Sequence, residues 1–191
     1  MFYIKFRKMA ETYIEFFSLP KDISYTPEEI HEIWEMRPEK PHEIIICGKL
    51  IPCPRLQKTQ GHSYTFSGNT LDCEPISPMF DRLIDHLNNK LNCNFNMLMI
   101  NWYRDGNDYI GEHSDDEKQL EPGSPIATVS LGCTRDFVLK NKETKERIIY
   151  KLNNNSVLVM GGTCQKTHKH ALPKRKLIKD YRISITLREF K

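Results

Sequence analysis

The tripeptide His113-Ser114-Asp115 sets an imidazole and a carboxylate two residues apart. In an extended chain such side chains project to the same face and stand side by side. Two imidazoles and one carboxylate on one face of an octahedral ion make the facial triad of non-haem iron(II) oxygenases, with positions left open for a co-substrate and oxygen. Taken alone, the pair reads more readily as an ordinary feature of a polar surface. The third ligand has two candidates in Thr167-His168-Lys169-His170, and spacing does not separate His168 from His170, because both point to one side of an extended chain. The plain alternative for this segment is a polar loop.

The run Tyr181-Arg182-Ile183-Ser184-Ile185-Thr186-Leu187-Arg188 alternates strictly. One face carries Tyr181, Ile183, Ile185 and Leu187, the other Arg182, Ser184, Thr186 and Arg188. An isolated strand of this kind reads as half-exposed and antiparallel. Beside an HxD and a later histidine it reads differently, as a wall for a dicarboxylate, because a planar guanidinium binds a carboxylate bidentately and a hydroxyl adds a further hydrogen bond.

The elements that must position these groups are mostly strands. Segments 95–103, 109–112, 126–131, 137–140, 147–152, 156–160 and 181–188 are separated by turn-forming stretches such as Arg104-Asp105-Gly106-Asn107 and Asn153-Asn154-Asn155. Short strands at this spacing predict a sandwich or jelly roll with helices packed on one sheet. Upstream, Thr26-Pro27-Glu28-Glu29 combines a cap, a first-turn proline and a capping-box glutamate, predicting a helix to about Met36. A second helix follows Ser77-Pro78, where Phe80, Leu83, Ile84, Leu87 and Leu91 form one apolar stripe. Residues 1–43 are expected to be a helical extension, followed by one domain over 44–191.

At 191 residues the chain fits one domain with a short extension, and 39% hydrophobic with 28% charged residues is ordinary for a globular protein. The longest apolar runs are too short to span a membrane. The six cysteines are scattered with no CxxC, which argues against a zinc or redox motif, and reduced thiols in the nucleus or cytoplasm are expected. The N-terminal stretch lacks the pattern of a secretory signal. Net charge is unevenly distributed: residues 140–191 hold 14 Lys plus Arg against 4 Asp plus Glu, a balance of +10, and the preceding residues balance at −7. A basic C-terminal third suits a polyanion such as nucleic acid, or is simply a solvated face.

The stretch from Asn101-Trp102-Tyr103 through Gly111-Glu112-His113-Ser114-Asp115-Asp116-Glu117 resembles the metal-binding signature of AlkB-type dioxygenases. Ser130-Leu131-Gly132-Cys133-Thr134-Arg135-Asp136-Phe137, His170-Ala171-Leu172-Pro173 and Arg182-Ile183-Ser184-Ile185-Thr186-Leu187-Arg188 extend the likeness, as do Pro54-Arg55 and Tyr64-Thr65-Phe66-Ser67-Gly68. The resemblance spans most of residues 44–191 and is nearest to the animal branch that repairs double-stranded DNA. It implies an α+β, mainly β fold: a double-stranded β-helix (jelly roll) over about 95–191 with supporting helices and a nucleotide-recognition lid over about 44–76.

It implies iron(II) on His113, Asp115 and His170. Asn101 and Tyr103 would contact 2-oxoglutarate, with Arg182 on its distal carboxylate, Arg188 nearer the iron and Thr186 between them. Tyr64, Phe66 and Ser67 would form the substrate wall, Asp116 would read the damaged base, and Arg135 would contact the backbone or complementary strand. The implied reaction uses O2 and 2-oxoglutarate to hydroxylate the N-methyl group of 1-methyladenine or 3-methylcytosine in DNA, yielding succinate, carbon dioxide and formaldehyde. Such lesions are cationic and pair poorly, so extruding them costs less than extruding an intact base. A monomer acting on alkylated DNA, single- or double-stranded, is expected, with RNA a further substrate. A protein or small-molecule hydroxylase, or a non-catalytic nucleic-acid-binding module, are the competing readings. The duplex-repair branch inserts a bulky aromatic where this chain has Ile46-Cys47-Gly48. Cys47 fills less of the vacated base stack, so single-stranded or loosened substrates are expected to serve at least as well as duplex.

Overall fold

The structure, a computed structural model, describes residues 11–46, 48–66, 69–71 and 73–191. In chain order these form β1 (Tyr13–Ser18), α1 (Pro27–Glu35), β2 (Glu43–Ile46), β3 (Lys49–Pro52), β4 (Leu56–Gln60), β5 (Tyr64–Phe66), β6 (Asn69–Leu71), β7 (Cys73–Glu74), α2 (Asp81–Leu91), β8 (Met97–Tyr103), β9 (Ile110–His113), β10 (Ile126–Gly132), β11 (Arg135–Asn141), β12 (Arg147–Leu152), β13 (Ser156–Gly161), α3 (Cys164–Thr167), β14 (His168–Leu172) and β15 (Arg182–Arg188). Two sheets make the jelly roll. The larger runs β1-β13-β10-β15-β8-β4-β7 and the smaller β12-β11-β14-β9, while β2-β3 and β5-β6 are separate two-stranded pairs.

Alternation along the large-sheet strands divides the interior. Leu98, Ile100 and Trp102 of β8, Val129 and Leu131 of β10, and Ile183, Ile185 and Leu187 of β15 pack with Ile33 of α1 and with Phe80, Leu83 and Leu87 at and within α2. The opposite face of the same strands turns toward the small sheet and carries Asn101, Tyr103, Arg182, Ser184, Thr186 and Arg188. All seven residues of β15 are buried, which removes the half-exposed reading of that strand. The α1 capping box forms as read from sequence, with the Glu29 N–H donating to Thr26 Oγ1 and the Thr26 N–H to Glu29 Oε2. The Trp102 indole N–H donates to the Ile33 carbonyl at 2.9 Å, tying α1 to β8.

Two expectations need correcting. The first 43 residues hold a strand as well as a helix: β1 pairs antiparallel with β13 from Tyr13↔Gly161 to Ser18↔Ser156. Its sequence obscured this because both faces carry apolar groups; Phe17 packs toward the helices and Ile14 toward the core between the sheets. The Tyr13 ring lies so close over Gly161 that a Cβ there would sit 1.9 Å from it, so a larger residue would displace that ring. The segment 44–76 is also not wholly a lid. Within it β4 joins the large sheet beside β8, and β7 pairs parallel with β4.

Candidate metal and co-substrate site

A cavity of about 900 Å³ opens between the two sheets, with Asn101, Tyr103, Arg182, Thr186 and Arg188 on one wall and His113, Phe137 and His170 on the other. His113 ends β9, Asp115 follows it, and His170 lies in β14, directly opposite His113 in the register. Their ligand atoms all fall within 4.8 Å of one another. His113 Nε2 is 3.5 Å and His170 Nε2 3.8 Å from the same oxygen, Asp115 Oδ1. His168 stays outside the cluster. It pairs with Asn141 at the end of β14, beyond the His113 rung, and its Nδ1 contacts the Thr167 hydroxyl at 2.8 Å. The polar loop read at this segment is therefore a strand.

Each member is set in a usable form. His113 Nδ1 lies 2.9 Å from the Gly111 carbonyl. A carbonyl only accepts, so of the two neutral tautomers the one with its proton on Nδ1 fits, and Nε2 is the nitrogen turned to a metal. His170 stacks on Phe137 with ring centroids 5.3 Å apart. Burial pushes its pKa down to about 4, against the opposing pull of Asp115, so it is neutral at physiological pH. For Asp115, burial works to raise the pKa, but the Arg188 charge, helped by the two facing imidazoles, outweighs it and holds the carboxyl well below the usual range. Arg188 Nη2 donates to Asp115 Oδ2 at 3.0 Å, which leaves Oδ1 toward the histidines. Two imidazole nitrogens and one ionised carboxylate oxygen are the donor set that suits iron(II).

The arginines fit a dicarboxylate. Burying a cation costs several kcal/mol unless it is paired. Arg182 is 1% exposed; its Nη2 donates to the Ser130 hydroxyl at 2.7 Å, and it also hydrogen-bonds Tyr103. Burial lowers its pKa to about 10, still protonated at neutral pH. Arg182 Nε and both Nε and Nη1 of Arg188 are buried with no partner among the described residues. Donors of this kind need an anion. Asn101 is aimed by Arg55 Nε and Gln57 Nε2, which both donate to its Oδ1 at 2.9 and 3.0 Å, so its amide nitrogen remains to donate.

Other expected residues are distributed unevenly. Tyr64 lines the cavity and donates to Glu117, and Arg188 stands 5.4 Å from its ring centroid. Asp116 is exposed at the rim. Cys47, Ser67 and the Phe66 side chain lie outside the described residues. Arg135 is a correction: it is 1% exposed, and its guanidinium donates to the carbonyls of Asp105, Asp108 and Pro173, so it does not face a nucleic-acid backbone. Glu117, to which the sequence assigned no role, points inward with Oε2 buried and unpartnered among the described residues. The signal was the two-residue period that also links His113 to Asp115. Gln57, Ser130 and Phe137 carried no such signal.

The family model described as the 2OG-Fe(II) oxygenase superfamily matches residues 26–188. The DNA oxidative demethylase ALKBH2 of Homo sapiens is 39% identical over 155 residues, covering 75% of this chain and 59% of that protein. The human alpha-ketoglutarate-dependent dioxygenase alkB homolog 3 is 31% identical over 146 residues, covering 71% and 51%. This chain thus spans little more than half the length of those relatives. The solved structure of OsALKBH1 superposes with a TM-score of 0.61 at 15% identity, covering 88% of this chain and 94% of that one, a likeness of fold alone. With that match running from the α1 cap through both arginines of β15, the chain belongs to the 2OG-Fe(II) oxygenase superfamily, as an AlkB-type member.

Proposed function

We propose that the protein is an iron(II)- and 2-oxoglutarate-dependent dioxygenase that removes N-methyl groups from 1-methyladenine and 3-methylcytosine in DNA. The observation that carries the reading is the pairing, across one cavity, of a His-Asp-His triad with two buried arginines that each keep a donor without a partner among the described residues. Bound there, iron(II) with 2-oxoglutarate supplies oxygen activation and an oxidant for the N-methyl carbon.

The protein's own groups do the remaining work. His113, Asp115 and His170 hold the metal, and Arg188 fixes which Asp115 oxygen faces it. Arg182 neutralises the far carboxylate of the co-substrate, with Asn101, Tyr103 and Thr186 along its length. Tyr64, fastened to Glu117, gives the substrate side an aromatic surface. Glu117 Oε2 and Asp116 add negative charge suited to a cationic methylated base. Some 900 Å³ accommodates a dicarboxylate and a flipped base together. The names of the relatives point to the same substrate class. A monomer, action on RNA, and a nuclear or cytoplasmic setting belong to this proposal. Among the described residues no helix is long and apolar enough to cross a membrane.

The test is a demethylation panel on single- and double-stranded DNA and RNA carrying either lesion. Methyl loss from DNA that requires 2-oxoglutarate is expected, with single strands at least as good as duplex. A large preference for fully paired DNA sinks the strand reading. Methyl loss from RNA alone sinks the DNA reading. Succinate formation without any methyl loss points to another substrate on the same scaffold.

A further inference from the structure

β9 and β14 carry the two histidines, yet the strands share only two rungs. His170 faces His113 and Leu172 faces Ile110, with an irregularity between them. A bulged pairing this short leaves the strand ends free to splay, so it does not by itself fix the distance between two imidazoles. Both ends are braced from outside the ladder. At the Asp115 end, the Ser114 hydroxyl donates to the His168 carbonyl at 2.8 Å and the Asp115 N–H to Gln165 Oε1 at 3.0 Å.

At the other end the brace is Arg135. Its Nη2 donates to the carbonyls of Asp108 and Pro173, both at 2.9 Å, and its Nη1 to the Asp105 carbonyl at 3.0 Å. Asp108 precedes β9 by two residues and Pro173 immediately follows β14. One planar, rigid group therefore spans the entry to the His113 strand and the exit of the His170 strand. The same two loops meet again where the Gly106 N–H donates to the Ile178 carbonyl at 2.9 Å and the Arg175 N–H to the Gly106 carbonyl at 2.7 Å. A Cβ at Gly106 would lie 1.7 Å from the Arg175 carbonyl oxygen, so this approach requires glycine.

We infer that Arg135 is a positioning residue for the metal site: by tying Asp108 to Pro173 it sets the spacing of the His113 and His170 strands, and with it metal affinity. It does so without touching metal, co-substrate or base. The inference rests on reading the triad as a metal site. A simple structural anchor would also satisfy these three carbonyls, but its loss would lower fold stability and leave the affinity of the folded site unchanged.

The experiment measures anaerobic Co(II) binding by titration calorimetry, beside thermal melts of the metal-free protein. It compares the full chain with Arg135→Met, Arg135→Lys and Leu83→Ala, the last removing core volume in α2 on the far face of the large sheet. Arg135→Met is expected to weaken Co(II) binding by about tenfold or more, the scale on which groups supporting metal ligands act. Arg135→Lys, which keeps the charge but not the planar fork, should fall between. Leu83→Ala should melt lower yet bind Co(II) as the parent does. A folded Arg135→Met with parental affinity overturns the inference, and if that variant does not fold, parental affinity in Arg135→Lys overturns it. A parent chain that does not bind Co(II) overturns the triad reading and this inference together, an outcome recognisable before any variant is compared.

Discussion

His113 and Asp115 are both needed for the metal site, but their removal should leave different metal-free proteins. His113 is partly exposed, and its loss strands no charge. Asp115 is the anion that pairs Arg188 at 3.0 Å, with both side chains about 95% buried. Removing one partner of a buried pair costs roughly 3–5 kcal/mol, because the other charge stays behind. Thus His113→Ala should melt near the parent, and Asp115→Ala lower by on the order of 10 °C, in melts of metal-free protein. Neither should bind Co(II). Equal melting temperatures would mean that Arg188 does not depend on Asp115 in the folded state. Arg182 makes a cleaner kinetic case: Arg182→Met should raise the KM for 2-oxoglutarate by roughly tenfold or more, the value of one charge-assisted bond, with Co(II) affinity unchanged.

At this scale the sequence was legible where a two-residue period did the positioning, as in His113 with Asp115 and in the polar face of β15. It was not legible for the choice of His170 over His168, which depends on where β9 ends. Arg135 was misread because arginine is by default a surface residue, and only the fold shows three carbonyls converging on it.

Among elements, strands with one apolar and one site-facing side announced themselves, and β8, β10, β11, β12, β13 and β15 lie close to where alternation set them. The strand that hid most completely was β14, whose His168-Lys169-His170 opening is polar because its inward face is the site itself. β1 hid for the opposite reason, being apolar on both faces, and β4 sits in a stretch whose resemblance suggested a lid. The helices were legible from their caps and stripes. α1 matters to the site through Trp102, whose indole binds the Ile33 carbonyl on the strand that also carries Asn101 and Tyr103. Thr26→Ala, which removes the cap of α1, should cost about 1 kcal/mol in denaturant unfolding. No loss of stability would mean that α1 is held by packing alone.

Across the whole molecule the charge divides, with the +10 balance of residues 140–191 set against −7 before it. Part of that positive charge is spoken for. Arg182 and Arg188 are buried in the site, Lys140 and Arg147 pair with Glu112, and Lys151 and Arg175 with Asp136. The remaining exposed lysines suit phosphates. Affinity for an unmethylated oligonucleotide should therefore fall by about tenfold or more between about 50 and 200 mM salt, as expected for a few released counterions. Salt-independent binding would remove the electrostatic part of the nucleic-acid reading.

The central claim, that one cavity couples 2-oxoglutarate turnover to base demethylation, is tested most directly by stoichiometry. Formaldehyde and succinate are counted together on a 3-methylcytosine oligonucleotide, with His113→Ala as control. Equal amounts of the two products from the parent, and neither from the control, are the expected result. Succinate that forms without formaldehyde, or formaldehyde that persists in His113→Ala, would contradict the account.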